Sequence, residues 1–128
     1  MSVLAGERTH RVLLVEDDPA VRDVIAILIG TEPDLALVGT AGTAEEGLEL
    51  VTELSPDLVL LDNQLDGPLT GVQAAPAIKE RAPSVVVLLC TALDLGAVAD
   101  TEPSIDGFLR KDELVTLVDV VRQLLGSA

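Results

Sequence analysis

Cysteine occurs once in these 128 residues, at position 90. One thiol excludes an intramolecular disulfide and any cysteine-rich zinc site, and a reducing cytoplasm is the expected setting. Cys90 closes an apolar run, which suits a small buried hydrophobe rather than a reactive thiol. Histidine also occurs once. That excludes a histidine metal site and the frame of a phosphohistidine helix, and His10 reads as a solvated leader residue. Basic residues are scarce, 8 Lys and Arg against 22 Asp and Glu, for a net charge of −14. Such a field repels a phosphate backbone and argues against direct nucleic-acid binding, leaving a cation or a basic protein surface as partners. No apolar run approaches the ~18 residues of a membrane span, and residues 1–10 lack the hydrophobic stretch of a signal peptide. No membrane association and no output domain are expected.

What the chain does contain is a regular alternation. Arg11–Val15, Leu35–Val38, Leu58–Leu61, Ser84–Cys90 and Ile105–Arg110 are short aliphatic runs that suit strands buried on both faces. Segments with helical spacing separate them. Asp18 and Pro19 open the first, with Val21, Val24, Ile25 and Leu28 on one face. Gly39–Gly42 reads as a loop, and Thr43 with Glu46 as a capping box for the second helix, which Ser55-Pro56 ends. The third, about 71–82, contains Pro76, which removes a donor and bends the axis. The fourth falls within 92–103 and is short, with Gly96 inside it. Asp112 caps the last, whose Leu114, Leu117, Val118, Val121, Leu124 and Leu125 form a stripe that Gly126 closes. The pattern predicts an α/β domain over 11–126 behind a flexible leader, 1–10, with five helices on both faces of a five-stranded parallel sheet.

Parallel strands bring their carboxyl ends to one rim, where open α/β sheets gather ligand chemistry. Four polar sets fall at such ends: Glu16 with Asp17, then Asp62, Thr91 and Lys111. Three crowded carboxylates repel one another, and a hard divalent cation with oxygen ligands relieves them. Mg²⁺ suits such a set, taking one or two carboxylates and a phosphate oxygen while keeping several waters. Phosphoryl transfer needs mostly positioning and charge neutralisation. Asp62 is then the nucleophile, forming an aspartyl phosphate without a general base, while Lys111 and Thr91 take phosphoryl oxygens.

Val15-Glu16-Asp17-Asp18-Pro19, Leu60-Leu61-Asp62, Leu89-Cys90-Thr91-Ala92 and Gly107-Phe108-Leu109-Arg110-Lys111 together resemble a response-regulator receiver domain, over about residues 10–126. The resemblance implies a flavodoxin-like, doubly wound sheet of order 2-1-3-4-5. It implies Mg²⁺ on Glu16, Asp17, Asp62 and the backbone carbonyl of Gln64, and phosphorylation of Asp62 by a histidine kinase or phosphotransfer protein. It further implies that Thr91 and Phe108 act as a switch pair, altering the affinity of the fourth helix, fifth strand and fifth helix for a downstream protein. Val115 adds an apolar residue for a possible homodimer.

The chain departs from the family pattern at several positions. Asp66 stands where many receivers have proline, the loop to Gly71 is one residue longer, and Asp112 replaces a frequent proline after Lys111, so a trans bond is expected there. Leu93 is apolar at a position that in the family influences water access, which implies a long-lived phosphoryl group. The alternative is a pseudo-receiver that binds a protein without phosphorylation. A phosphatase with a strand-end aspartate is disfavoured, since Gln64 stands where such an enzyme needs a general acid.

Overall fold

Residues 9–126 are described by the computed structural model, and they alternate strand and helix throughout. The order is β1 His10–Val15, α1 Pro19–Gly30, β2 Leu35–Ala41, α2 Ala44–Leu54, β3 Leu58–Leu61, α3 Gly71–Arg81, β4 Val86–Thr91, α4 Gly96–Thr101, β5 Gly107–Arg110 and α5 Leu117–Leu124. A 3₁₀ segment, Lys111–Thr116, leads into α5. The strands form one parallel sheet in the order β2-β1-β3-β4-β5, the expected flavodoxin-like winding. All four residues of β3 are buried, as its uninterrupted apolar run requires at the centre of the sheet.

Alternate residues of the strands feed two cores. Leu13, Val15, Val59, Leu61, Val87 and Leu89 pack with Leu48, Val51, Ala75, Ile78 and Ala99 of α2, α3 and α4. Val12, Leu14, Leu58, Leu60, Leu88 and Cys90 pack with Ile25, Ile29, Leu117 and Val121 of α1 and α5. The two-residue period of a strand thus places helices on both faces. No helix among the described residues is long and apolar enough to cross a membrane.

Several local expectations need correction. β2 does not stop at Val38: Gly39, Thr40 and Ala41 pair with Leu13, Leu14 and Val15 after a register shift beyond Val12. Gly39 is a packing residue rather than a turn former, since a Cβ there would lie 2.8 Å from Leu54 Cδ1. His10 is not a leader residue but the first of β1, its N–H donating to Asp34 O at 2.9 Å. Residues 1–8 of the expected leader lie outside the described residues.

The helix ends also differ in part. Asp18 caps α1 as expected, accepting from Ala20 N at 2.9 Å, and Ser55 ends α2 in a left-handed conformation. Thr43 accepts from Glu46 N at 3.1 Å, but the Glu46 carboxylate sits by the Thr43 hydroxyl, so only half of that capping box forms. The complete box is at α3, where Thr70 Oγ1 accepts from Gln73 N and Gln73 Oε1 accepts from Thr70 N. A cap of ~1 kcal/mol offsets part of the ~3 kcal/mol that an interior proline costs, and α3 runs on through Pro76. Asp112 caps no helix among the described residues. Its carboxylate accepts from Arg110 Nη2 at 2.8 Å, Glu113 leaves helical geometry, and α5 begins only at Leu117.

Candidate functional site

Val15 and Leu61 are register partners at the carboxyl ends of β1 and β3, so the next residues, Glu16 and Asp62, leave neighbouring strands at one level. Both backbones are still tied to the sheet, Glu16 N donating to Ala41 O at 2.8 Å and Asp62 N to Val15 O at 3.0 Å. The two residues are 1% and 2% exposed. Asp17 is half-buried beside them, and one carboxylate oxygen from each of Glu16, Asp17 and Asp62 lies within 4.8 Å of the others.

Lys111 follows β5 and reaches into this set. Its Nζ lies 2.8 Å from Glu16 Oε1 and 3.1 Å from Asp62 Oδ2. Burial works against the ammonium charge, but the hydrogen bonds to Glu16 and Asp62 outweigh it and hold the pKa above its ordinary 10.5. Glu16 is pushed the other way for a carboxylate: burial raises it above 4.5, and the bonds from Lys111 and from Asp18 N only partly compensate. Asp62 Oδ1 is buried and accepts no hydrogen bond from a described residue. One ammonium serves two buried carboxylates, and an acceptor oxygen beside them has no donor among the described residues. That arrangement fits a hard divalent cation, whose charge would satisfy the free oxygen and offset the repulsion that burial intensifies.

The other expected residues are placed less closely. Thr91 ends β4 fully buried, opposite Arg110 in register, and its Oγ1 accepts from Leu93 N at 3.5 Å. It makes no hydrogen bond to Asp62 or Lys111 among the described residues. Gln64 stands exposed two residues beyond Asp62. Phe108 is half-buried on β5 and lines a cavity of about 170 Å³ with Ala99, Asp100, Ile105 and Asp106. Cys90 is buried, and burial pushes its thiol up to about 12, which removes it as a nucleophile. No cis peptide occurs among the described residues, Lys111-Asp112 included.

Three contributors to this rim were not singled out in the sequence. Gly71 is needed because its Cα abuts the backbone of Asp62: a Cβ there would stand 2.2 Å from Asp62 O. Asn63 Oδ1 accepts from Val72 N at 3.0 Å and fastens the start of α3 beside Asp62. Arg22 donates from α1 to the Glu16 carbonyl at 3.2 Å. The lengthened loop also has a definite course, with Asp66 bridged to Thr43 and Gly67 at φ 93°.

Residues 12–122 match the family model described as the response regulator receiver domain. The chain belongs to the response-regulator receiver family. Among curated relatives, the nitrate/nitrite response regulator protein NarL of Escherichia coli K12 is 32% identical over 111 residues, covering 85% of this chain and 51% of that protein. The positive alginate biosynthesis regulatory protein of Pseudomonas aeruginosa is 39% identical over 101 residues, covering 78% of this chain and 40% of that protein. The chain therefore spans about half, or less, of these receiver proteins' length. The response regulator domain of Thermotoga maritima CheB superimposes with a TM-score of 0.84 at 26% identity, covering 93% of this chain and 98% of that one. The signal receiver domain of the putative regulator NarL from Mycobacterium tuberculosis gives 0.84 at 27% identity, covering 94% and 99%. A phosphorylation-dependent switch is general to this receiver family.

Proposed function

We propose that this receiver accepts a phosphoryl group on Asp62 from a histidine kinase or phosphotransfer protein and relays the signal through contact with a downstream protein. The observation that carries the proposal is the buried acid set itself. Lys111 binds one oxygen of Glu16 and one of Asp62, while Asp62 Oδ1 accepts from no described residue. Glu16, Asp17 and Asp62, with the backbone carbonyl of Gln64, are the residues that would hold Mg²⁺. When bound, that ion supplies charge neutralisation for the acids and for a phosphoryl oxygen.

The protein's own residues do the rest. The Asp62 carboxylate is itself the nucleophile and attacks phosphorus in line, so no general base is needed and the leaving group departs on the opposite side. Lys111, held charged by its two carboxylates, is placed to take an oxygen of the arriving group. Thr91, at the adjacent strand end, supplies a hydroxyl donor to another once the group is in place. The cover of Leu93, which is 45% exposed at the rim, limits water access. Phe108, on the strand that delivers Lys111, lines a cavity with Ala99 and Asp100 of α4, and the switch is read on α4, β5 and α5. Val115, 90% exposed beside α5, is the apolar contact for a homodimer or target on that face.

Intact-mass measurement after incubation with acetyl phosphate tests the proposal. Gain of one phosphoryl group that needs MgCl₂ and disappears in Asp62→Asn supports it. No gain in the wild-type protein overturns it in favour of a phosphorylation-independent binding module.

A further inference from the structure

Arg22 lies in the first turn of α1, a poor place for a cation, because the helix dipole is positive there. Its guanidinium instead reaches across the loop after β1. There the Nη1 donates to the backbone carbonyl of Glu16 at 3.2 Å. The same nitrogen lies against Gly42, where a Cβ would be 3.7 Å from Nη1 and 3.8 Å from Glu46 Oε1. The guanidinium is thus hydrogen-bonded to the loop after β1 and lies close to Gly42 in the loop after β2.

Glu16 is consequently held at every polar atom. Its N–H donates to Ala41 O at 2.8 Å, and its carbonyl accepts from Arg22. Oε1 accepts from Lys111, and Oε2 accepts from Asp18 N at 3.1 Å. Three of those contacts belong to β2, to Lys111 and to the loop itself. The Arg22 contact alone comes from the side of α1, and it fixes the peptide that joins Glu16 to Asp17.

We infer that Arg22 is a positioning residue for the cation site: it orients the Glu16-Asp17 peptide and so aims both leading carboxylates at the place facing Asp62. The inference rests on the cation-binding role proposed above. It makes a claim that electrostatics alone contradicts in sign. A positive group beside a cation site repels the cation, so removing Arg22 without a positioning role tightens binding. Removing an orienting hydrogen bond loosens it, by on the order of tenfold.

The test is an MgCl₂ titration of the full chain followed by backbone amide shifts and by calorimetry, with circular dichroism confirming the fold of each variant. Arg22→Met keeps the aliphatic stem and loses both donor and charge. Arg22→Lys keeps a charge and one donor able to reach the Glu16 carbonyl. About tenfold weaker Mg²⁺ binding in Arg22→Met, with at least half of the loss recovered in Arg22→Lys on a logarithmic scale, supports the inference. Unchanged or tighter binding in Arg22→Met overturns it, as does Arg22→Lys binding no better than Arg22→Met. Should Arg22→Met fail to fold, Arg22→Lys decides: affinity within about threefold of wild type supports the inference, and a loss of tenfold or more overturns it. A wild-type chain that binds no Mg²⁺ at these amides instead removes the cation-binding role on which the inference stands.

Discussion

Lys111 Nζ lies 3.1 Å from Asp62 Oδ2, across 49 positions of chain. The contact exists because β3 and β5 run parallel and release both residues at one rim. The same ammonium serves Glu16 at 2.8 Å, so two buried carboxylates share one counter-charge. Lys111→Met leaves both without it and is expected to cost the metal-free protein about 3 kcal/mol. MgCl₂ should recover part of that loss by binding only the folded form. Urea unfolding with and without MgCl₂ measures both effects, and a variant as stable as wild type contradicts the account.

The buried position of Glu16 gives a pH dependence with a definite sign. Its folded pKa lies above the ordinary 4.5, mainly through burial, so the folded chain holds this proton more tightly than the unfolded chain. The associated stability is fully present below 4.5 and is lost as pH rises through the raised value. Glu16→Gln imitates the protonated form and should lose less stability over that rise than metal-free wild type. Parallel urea-unfolding curves across the interval, with no divergence, count against this.

Gly71 packs on the backbone of Asp62. A methyl group at this position would meet Asp62 O at 2.2 Å and Asn63 Cα at 3.0 Å, both parts of the main chain that cannot swing aside. Gly71→Ala is expected to cost about 2 kcal/mol and to slow phosphorylation by displacing Asp62. Equilibrium unfolding and the rate of mass gain with acetyl phosphate measure the two. Wild-type values for both would show that the α3 start yields without disturbing the site.

Leu93 follows Thr91 by two residues, and its N–H contacts the Thr91 hydroxyl at 3.5 Å. On the proposed function, this apolar side chain limits water access to a phosphoryl group on Asp62. The phosphorylated protein should persist for minutes or longer at neutral pH, and Leu93→Asn should shorten its life. Loss of the added mass is timed after removal of the donor. A half-life of seconds in wild type refutes the expectation.

The strands were legible because a strand buried on both faces must be apolar at every position, as Leu58–Leu61 and Val87–Cys90 are. The acid set was legible for the same reason: Glu16 and Asp62 each follow such a run directly, and Asp17 comes next after Glu16. What the sequence concealed depends on packing between elements. Gly39 reads as a turn residue, but it pairs with Leu13 in the sheet and packs under Leu54. Asp112 has the signature of a helix cap, but the neighbouring Arg110 competes for its carboxylate and wins. Arg22 looks like any solvated arginine on a helix until the loop after β1 folds back beneath it.

Borohydride reduction of the phosphorylated chain, which converts an acyl phosphate on aspartate to homoserine, followed by peptide mass mapping, tests the central claim most directly. The account predicts homoserine at position 62, dependent on MgCl₂ during phosphorylation. Homoserine at another aspartate, or at none while the intact mass shows phosphorylation, would contradict it.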